Sequence, residues 1–492
     1  MLETDIRAQA RSPVDSGNLL ARRIAERTGL PVAALFRGQF AVSTDPRCPV
    51  EGWCSVSVGG FYLHCCPELR LYRILGACGS LVAVVCGVAV TPEGVPLGAI
   101  SGLDLTADDP QAAQRLESLI ETLVGRFVAV TCLPGAARVY TDCAGDMGVL
   151  YDPQTRRLGS SLGVILYREI EERPDFDHDA IVAGRGNYVL GYVRDRHARR
   201  LPPNFRLDLE DFRPTRFWPR EDSLDATGDL SLAETVERIV ERLARNTEAL
   251  LAVAPCLMPI SGGQDSRTLV GATRHLHGRM AGFFGWHMHR NSRRDCEIGA
   301  RIAERLGLDY TVIGRIRPSA AEVAAFFART GWMVNGGGLL SLGMANTLPE
   351  GHLVLRGNLM ELTRATEWGW RRVSRVDPDC ADWGIKRLKL THAAPKERRP
   401  VDLRQRYLDW RATIPGPLKA IAHDLSFVEN YYANAGGARG YAHVNVTLVN
   451  PFADRHLFAL TLGVPARQRR GGELNAALLA RAAPDLADLP FV

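Results

Sequence analysis

Residues 256–276, CLMPISGGQDSRTLVGATRHL, constrain this chain more than any other stretch. CLMPI has the composition of a buried strand, SGGQDS is a turn, and RTLVGATRHL reads as a helix. A strand, a glycine turn and a helix in that order begin an α/β unit. Such units form parallel sheets that bind ligands at the C-terminal edge of their strands. Gly262 and Gly263 lack a Cβ, so the backbone there is free to approach a ligand closely and to take φ > 0. The N–H groups of the turn and of the helix start make an anion cradle, to which Ser261 and Ser266 add hydroxyls. Asp265 is out of place in a plain phosphate cradle, because its charge repels phosphate unless a divalent cation lies between them. The turn therefore reads as a magnesium–pyrophosphate site. The alternative is an ordinary glycine turn with a helix-capping aspartate.

The rest of the chain supplies the setting. Its 492 residues leave room for two domains or three. A net charge of +5 over that length is too weak to imply a nucleic-acid partner. No stretch approaches the apolar run that a membrane span needs. Eleven cysteines, an odd count without CxxC pairs, point to reduced thiols and a cytoplasmic protein. SGNLLARRIAERTG, residues 16–29, reads as a short amphipathic helix closed by Gly29. From about 53 to 165 the pattern is strand-rich around one helix, DDPQAAQRLESLIETLVG, which predicts a layered αβ domain over 1–205. Residues 206–230 carry Pro, Gly and acids without a period and read as a linker. Over 231–492, apolar runs alternate with helices. The first of these helices has a capping box at Ser231 and Glu234 and an apolar face of Leu232, Val236, Ile239, Val240 and Leu243.

SGGxDS resembles the pyrophosphate loop of the N-type ATP pyrophosphatases. MAGFFGWHMHRNSRRDCEIGARIAERLGLDYTVI, residues 280–313, is similar to the second strand of the asparagine-synthetase-like synthetase domain, its acidic helix and the strand after it. The C-terminal run from VNPFADRHLF to DLADLP is similar to that family's ending. LVGRFVAVTCLPGAARVYTDCAGDMGVLYDPQTRRLGSSLGVIL resembles the partner domain of the family, the class II glutamine amidotransferase domain. The resemblance implies an α/β protein with an Ntn-type αββα layered N-terminal domain. It implies a parallel-sheet PP-loop domain, adenine nucleotide α-hydrolase-like, at the C-terminus. It further implies ATP and Mg²⁺ as cofactors, with adenine held by backbone at Pro259–Ile260 and Phe284–Gly285.

The chain departs from the family in three places. Glutamine-dependent members expose an N-terminal cysteine whose own amine is the base. Here position 2 is Leu2 and the first cysteine is Cys48, so glutaminase activity is not expected, as in the β-lactam synthetases and lasso-peptide cyclases. In LVLRGNLMELTRATEWGW, residues 353–370, Gly357 aligns with the loop glycine that closes over the adenylate. Glu361 aligns with the carboxylate that shares the metal with Asp265, and Glu367 is an alternative for it. Asn358 stands where relatives carry a glutamate or a catalytic tyrosine. No lysine follows Lys419, so Arg467, Arg469 or Arg470 must replace the family's C-terminal lysine, with Arg469 favoured. The i,i+2 pairs His275/His277 and His287/His289 lack a third ligand and read as ordinary surface or core residues. The basic run over 383–400 reads as an exposed loop.

The implied activity is ATP-dependent adenylation of a carboxylate, releasing pyrophosphate, followed by amide, lactam or macrolactam formation. The substrate would be a small-molecule or peptide carboxylate, with a precursor peptide as one candidate partner, and no nucleic acid or membrane. Oligomeric state and substrate stay open. So do two other readings: a catalytically lost scaffold or partner protein, and a PP-loop enzyme acting on another group.

Overall fold

The computed structural model describes residues 18–97, 103–106, 109–368, 380–388 and 402–492. Leu2, Lys389, Lys396 and the end of the loop at 369–370 lie outside the described residues. Local signals in the sequence appear as expected. Asn18 caps the helix Leu19–Thr28, and Gly29 ends it with φ 67°. Ser231 and Glu234 form the reciprocal capping box of the helix Leu232–Leu251.

The fold is mixed α/β with three sheets. The first half carries two six-stranded antiparallel sheets. In spatial order the first runs Arg199–Leu201, Val149–Asp152, Arg157–Gly159, Phe40–Ser43, Phe61–Cys65, Cys54–Val58. The second runs Pro214–Arg216, Phe205–Asp208, Arg138–Thr141, Val124–Thr131, Leu81–Val90, Leu71–Leu75. Val124–Thr131 is buried along its whole length, as befits a strand inside a sheet with both faces covered. Among the described residues Phe40–Ser43 is the first strand, and the helices Leu19–Thr28 and Val32–Leu35 precede it.

The stretch expected as a linker is in part sheet. Phe205–Asp208 pairs with Arg138–Thr141, and Pro214–Arg216 pairs with Phe205–Asp208. Pro214 disguised the last strand, but proline is tolerated at the start of an edge strand, which is where it sits.

The second half carries a five-stranded parallel sheet in the order Tyr310–Gly314, Gly282–His287, Cys256–Pro259, His352–Leu355, Val446–Val449. The chain steps outward from Cys256–Pro259 on one side and resumes with His352–Leu355 on the other. The sheet therefore has its topological switch point between these two strands, where open α/β sheets leave a crevice. One apolar core runs through both halves.

The halves meet along a charged seam. Asp146, from the antiparallel half, accepts from Arg356 Nη2 (3.3 Å), from the Tyr432 hydroxyl (3.0 Å) and from Asn450 Nδ2. Arg126 donates to the Asp146 carbonyl (3.0 Å) and stacks over Tyr441, whose hydroxyl donates to the Gly148 carbonyl (2.9 Å). All eleven cysteines are free thiols, as expected. No helix among the described residues is long and apolar enough to cross a membrane.

Candidate functional site

The two loops that leave the switch point converge. After Cys256–Pro259 the chain passes through Ser261–Gly263 into the helix Gln264–Ala272. After His352–Leu355 it passes through Arg356 and Gly357 into the 3₁₀ turn Met360–Arg364. Gly357 lies against the start of the Gln264 helix. A Cβ there would come within 3.1 Å of the Asp265 carbonyl carbon and 3.2 Å of the Ser266 nitrogen, so a larger residue would push this backbone back by a few tenths of an ångström. Asn475 ties the loops together, donating to Gln264 Oε1 and accepting from the Thr363 hydroxyl (3.3 Å).

This convergence joins Asp265 and Glu361. Burial, together with the Glu361 charge, pushes the Asp265 carboxyl well above the usual carboxylate range, although Arg364 pulls the other way. Arg364 Nη2 donates to Asp265 Oδ2 at 2.8 Å. The other Asp265 oxygen, Oδ1, and Glu361 Oε2 are buried with no hydrogen-bond partner among the described residues. Two carboxylates whose charges are coupled, each with an unpartnered oxygen, match what Mg²⁺ asks of a protein: one or two carboxylates, the rest of its shell coming from phosphate and water. No group of three or more His, Cys, Asp or Glu able to hold a metal occurs among the described residues, so a two-carboxylate site would depend on such outside ligands.

One cation, Arg364, stands directly beside Asp265. Burial and the charges of Arg387 and Arg364 lower the Arg470 pKa, so these three arginines share one field. Arg387 is held by Glu367 (3.0 Å), so Glu367, the alternative metal carboxylate, is already engaged. Sequence reading missed Arg364 and Arg387. Arg364 follows Glu361 at helical i+3 spacing, which was the available signal. Arg387 belongs to the basic run expected to be an exposed loop, yet it ends a short helix, Ala381–Arg387; residues 389–400 of that run lie outside the described residues.

Arg469 is not part of this field. It is fully buried and donates to both Asp424 oxygens (2.8 and 2.9 Å), to the Leu362 carbonyl (2.7 Å) and to the Val464 carbonyl (2.9 Å). With four of its five N–H groups so engaged, it holds the turn that carries Glu361 and does not face a phosphate. Arg470 lies within the field of Arg364 and Arg387, and Arg467 is exposed.

The glycine loop also differs in detail from its expectation. Neither Gly262 nor Gly263 has positive φ. Gly262 is needed for space: a Cβ would lie 2.7 Å from the Val492 side chain and 3.2 Å from Ile298. Its N–H donates to Asp295 Oδ1 (3.0 Å), the Gly263 N–H to the Ser261 hydroxyl (3.2 Å), and the Ser261 N–H to the Ser266 hydroxyl (3.2 Å). Asp295, which sequence reading did not single out, thus occupies part of the cradle. Arg267 fixes the loop from below, donating to the carbonyls of Gly262, Leu486, Leu489 and Pro490.

The four positions assigned to adenine are adjacent, since Pro259 pairs with Phe284. Their backbone is already engaged: the Ile260 N–H donates to the Phe284 carbonyl (2.9 Å), and the Ile260 carbonyl accepts from the Tyr310 hydroxyl (3.2 Å). Gly285 has a packing reason of its own, because a Cβ would lie 2.0 Å from that hydroxyl. The histidines have structural surroundings. His277 contacts the Val270 carbonyl (2.9 Å), and His289 caps the helix Arg290–Leu306. Neither protein-family models nor curated proteins give a match to this sequence.

Proposed function

We propose that this chain is an ATP-dependent, AMP-forming carbon–nitrogen ligase of asparagine-synthetase-like build, with an Ntn-type αββα layered half and a PP-loop half. The observation that carries the reading is the electrostatic coupling of Asp265 and Glu361 at the sheet's switch point, each with an unpartnered buried oxygen, with Arg364 beside Asp265 and the charges of Arg387 and Arg470 coupled to Arg364. Acids alone would repel a nucleotide, and arginines alone would not explain two coupled carboxylates. A polyphosphate carried with Mg²⁺ satisfies both. Asp265 and Glu361 would hold the ion, which supplies Lewis-acid charge on the phosphate oxygens. Ser261, Ser266, the start of the Gln264 helix and Arg470 would stabilise charge as a substrate carboxylate attacks the α-phosphorus and pyrophosphate leaves. The loop from Gly357 onward covers the acyl-adenylate and keeps water from it. The amine comes from the substrate itself or from a second molecule, giving an amide, lactam or macrolactam.

A scaffold reading has one observation in its favour: Asp295 occupies the Gly262 N–H that a phosphate would take. Exchange of labelled pyrophosphate into ATP separates the two, because it needs the adenylation half-reaction alone. With a library of small-molecule and peptide carboxylates, exchange is expected, and the products of turnover are AMP and pyrophosphate. Asp265→Asn should abolish exchange while keeping the fold. ADP and phosphate as products would sink the reading. ATP binding without exchange for any carboxylate would put the scaffold in its place.

A further inference from the structure

Arg364 bonds to the carboxylate that the reading above gives to a metal ion. Its contact with Asp265 is a single N–H···O bond, not a two-pronged fork, and the two side chains keep 27% and 21% of their exposure. Arg364 Nε is buried and has no hydrogen-bond partner among the described residues, so the guanidinium is only partly satisfied where it stands. Its neighbours have more partners: Arg387 donates to Glu367 and to the Thr366 carbonyl, and Arg469 to both Asp424 oxygens. The backbone beneath Arg364 is strained. The turn Met360–Arg364 is bounded by Leu359 at φ 72° and Ala365 at φ 45°, left-handed conformations that non-glycine residues take at a cost.

A guanidinium and a divalent cation repel each other, and both want Asp265. We propose that Arg364 is an exchangeable counter-ion: it neutralises Asp265 until a metal-bound nucleotide arrives, then releases it and takes an anionic oxygen of the polyphosphate. The exchange keeps opposite charges paired in the site. One positive group leaves the carboxylate as another takes its place, and the displaced guanidinium meets the negative charge that entered with the metal. The second half of this proposal rests on the adenylation reading, whereas the first rests on the ion pair alone.

Two titrations on the purified full chain test it: Mn²⁺ alone, followed by the loss of its free-ion paramagnetic signal, and ATP with Mg²⁺, followed by calorimetry. In Arg364→Gln, Mn²⁺ should bind about fivefold more tightly, because a part-exposed competing pair is gone. ATP with Mg²⁺ should bind about ten- to a hundredfold more weakly, because a charged hydrogen bond is lost. Opposite signs are the signature. Arg364→Lys, which keeps the charge, should leave Mn²⁺ binding near the wild-type value. If both affinities fall together in Arg364→Gln along with its melting temperature, the pair is a fixed structural bridge and the exchange is wrong. If Mn²⁺ binding is lost in Asp265→Asn yet unchanged in Arg364→Gln, only the exchange fails. If wild-type Mn²⁺ binding does not depend on Asp265, the metal site itself fails, and this proposal with it.

Discussion

Two arginine–aspartate pairs hold the same short turn, and they are built for opposite purposes. Arg469–Asp424 grips Met360–Arg364 through the Leu362 carbonyl; its side chains are 1% and 2% exposed, and Trp368 Nε1 adds a bond to Asp424 (3.0 Å). Arg364–Asp265 lies at the other end of the turn, with one bond, an unpartnered oxygen on Asp265 and an unpartnered Nε on Arg364 among the described residues. A buried pair with nearly every donor and acceptor used cannot be opened without stranding a charge in a low dielectric. A part-exposed pair with spare valence can be opened at little cost. Residue type does not distinguish structural from exchangeable charge here; completeness of partnering and burial do.

The sharpest way to break this comparison is to truncate each arginine. Arg469→Ala should lower stability by about 3–5 kcal/mol, because Asp424 is left buried and unpaired. Arg364→Ala should cost less than about 1 kcal/mol. Urea unfolding of the two variants reads both numbers. An Arg469→Ala protein of wild-type stability that had lost pyrophosphate exchange would return Arg469 to the phosphates and reverse the roles assigned above.

A third pair falls between these extremes. Asp146 accepts from Arg356, Tyr432 and Asn450 and has both oxygens engaged, while Arg356 keeps 14% of its side-chain exposure. Arg356 directly precedes Gly357, so the antiparallel half braces the strand end from which the site loop departs. Asp146→Ala should cost about 2–3 kcal/mol, the range for losing hydrogen bonds to a charged group that retains some solvent. Calorimetric unfolding checks it. A loss below 1 kcal/mol would mean that the seam is held by its apolar contacts alone.

What was legible in the sequence follows the same division. The strand–turn–helix at 256–276 and the caps at Gly29 and Ser231 rest on local rules; the caps and the order of elements are as those rules put them, whereas the helix begins inside the expected turn, at Gln264, and ends at Ala272. The joining of Asp265 with Gly357 and Glu361 was approached through the family resemblance, not through spacing, since almost a hundred residues separate them. The choice among Arg467, Arg469 and Arg470 was beyond sequence. All three lie on the six-residue helix Ala466–Gly471, each step turns about 100°, and only tertiary packing decides which one faces Asp424. Asp295 was invisible because its partner is distant in the chain, and Arg364 offered only its i+3 spacing from Glu361, since Asp265 is distant too. The edge strand Pro214–Arg216 was hidden because Pro at its start suits an edge strand as well as a linker.

The seam and the site also differ in how they should respond to acid. His443 is buried at the seam, and its Nδ1 has no hydrogen-bond partner among the described residues. Burial first, then the charges of Arg439, Arg356 and Arg126, lower its pKa to about 3. An unfolded chain would protonate the same ring near 6.5. Between those values the unfolded state binds more protons than the folded state, so stability rises with pH across the window. The contribution is complete above about 6.5 and is lost as pH falls toward 3. From pH 7.5 to pH 5 this one group should remove about 2 kcal/mol. The variant to compare is His443→Gln, which keeps polarity and similar volume but cannot take up a proton. Its urea-unfolding free energy should fall by about 2 kcal/mol less than that of the wild type over the same interval. Taking the difference between the two proteins cancels every other titrating group, including Asp142, whose raised carboxyl acts in the opposite sense. Equal slopes in the two proteins would show that the ring is not held neutral, and the seam would then lose its claim to be the fixed half of the comparison.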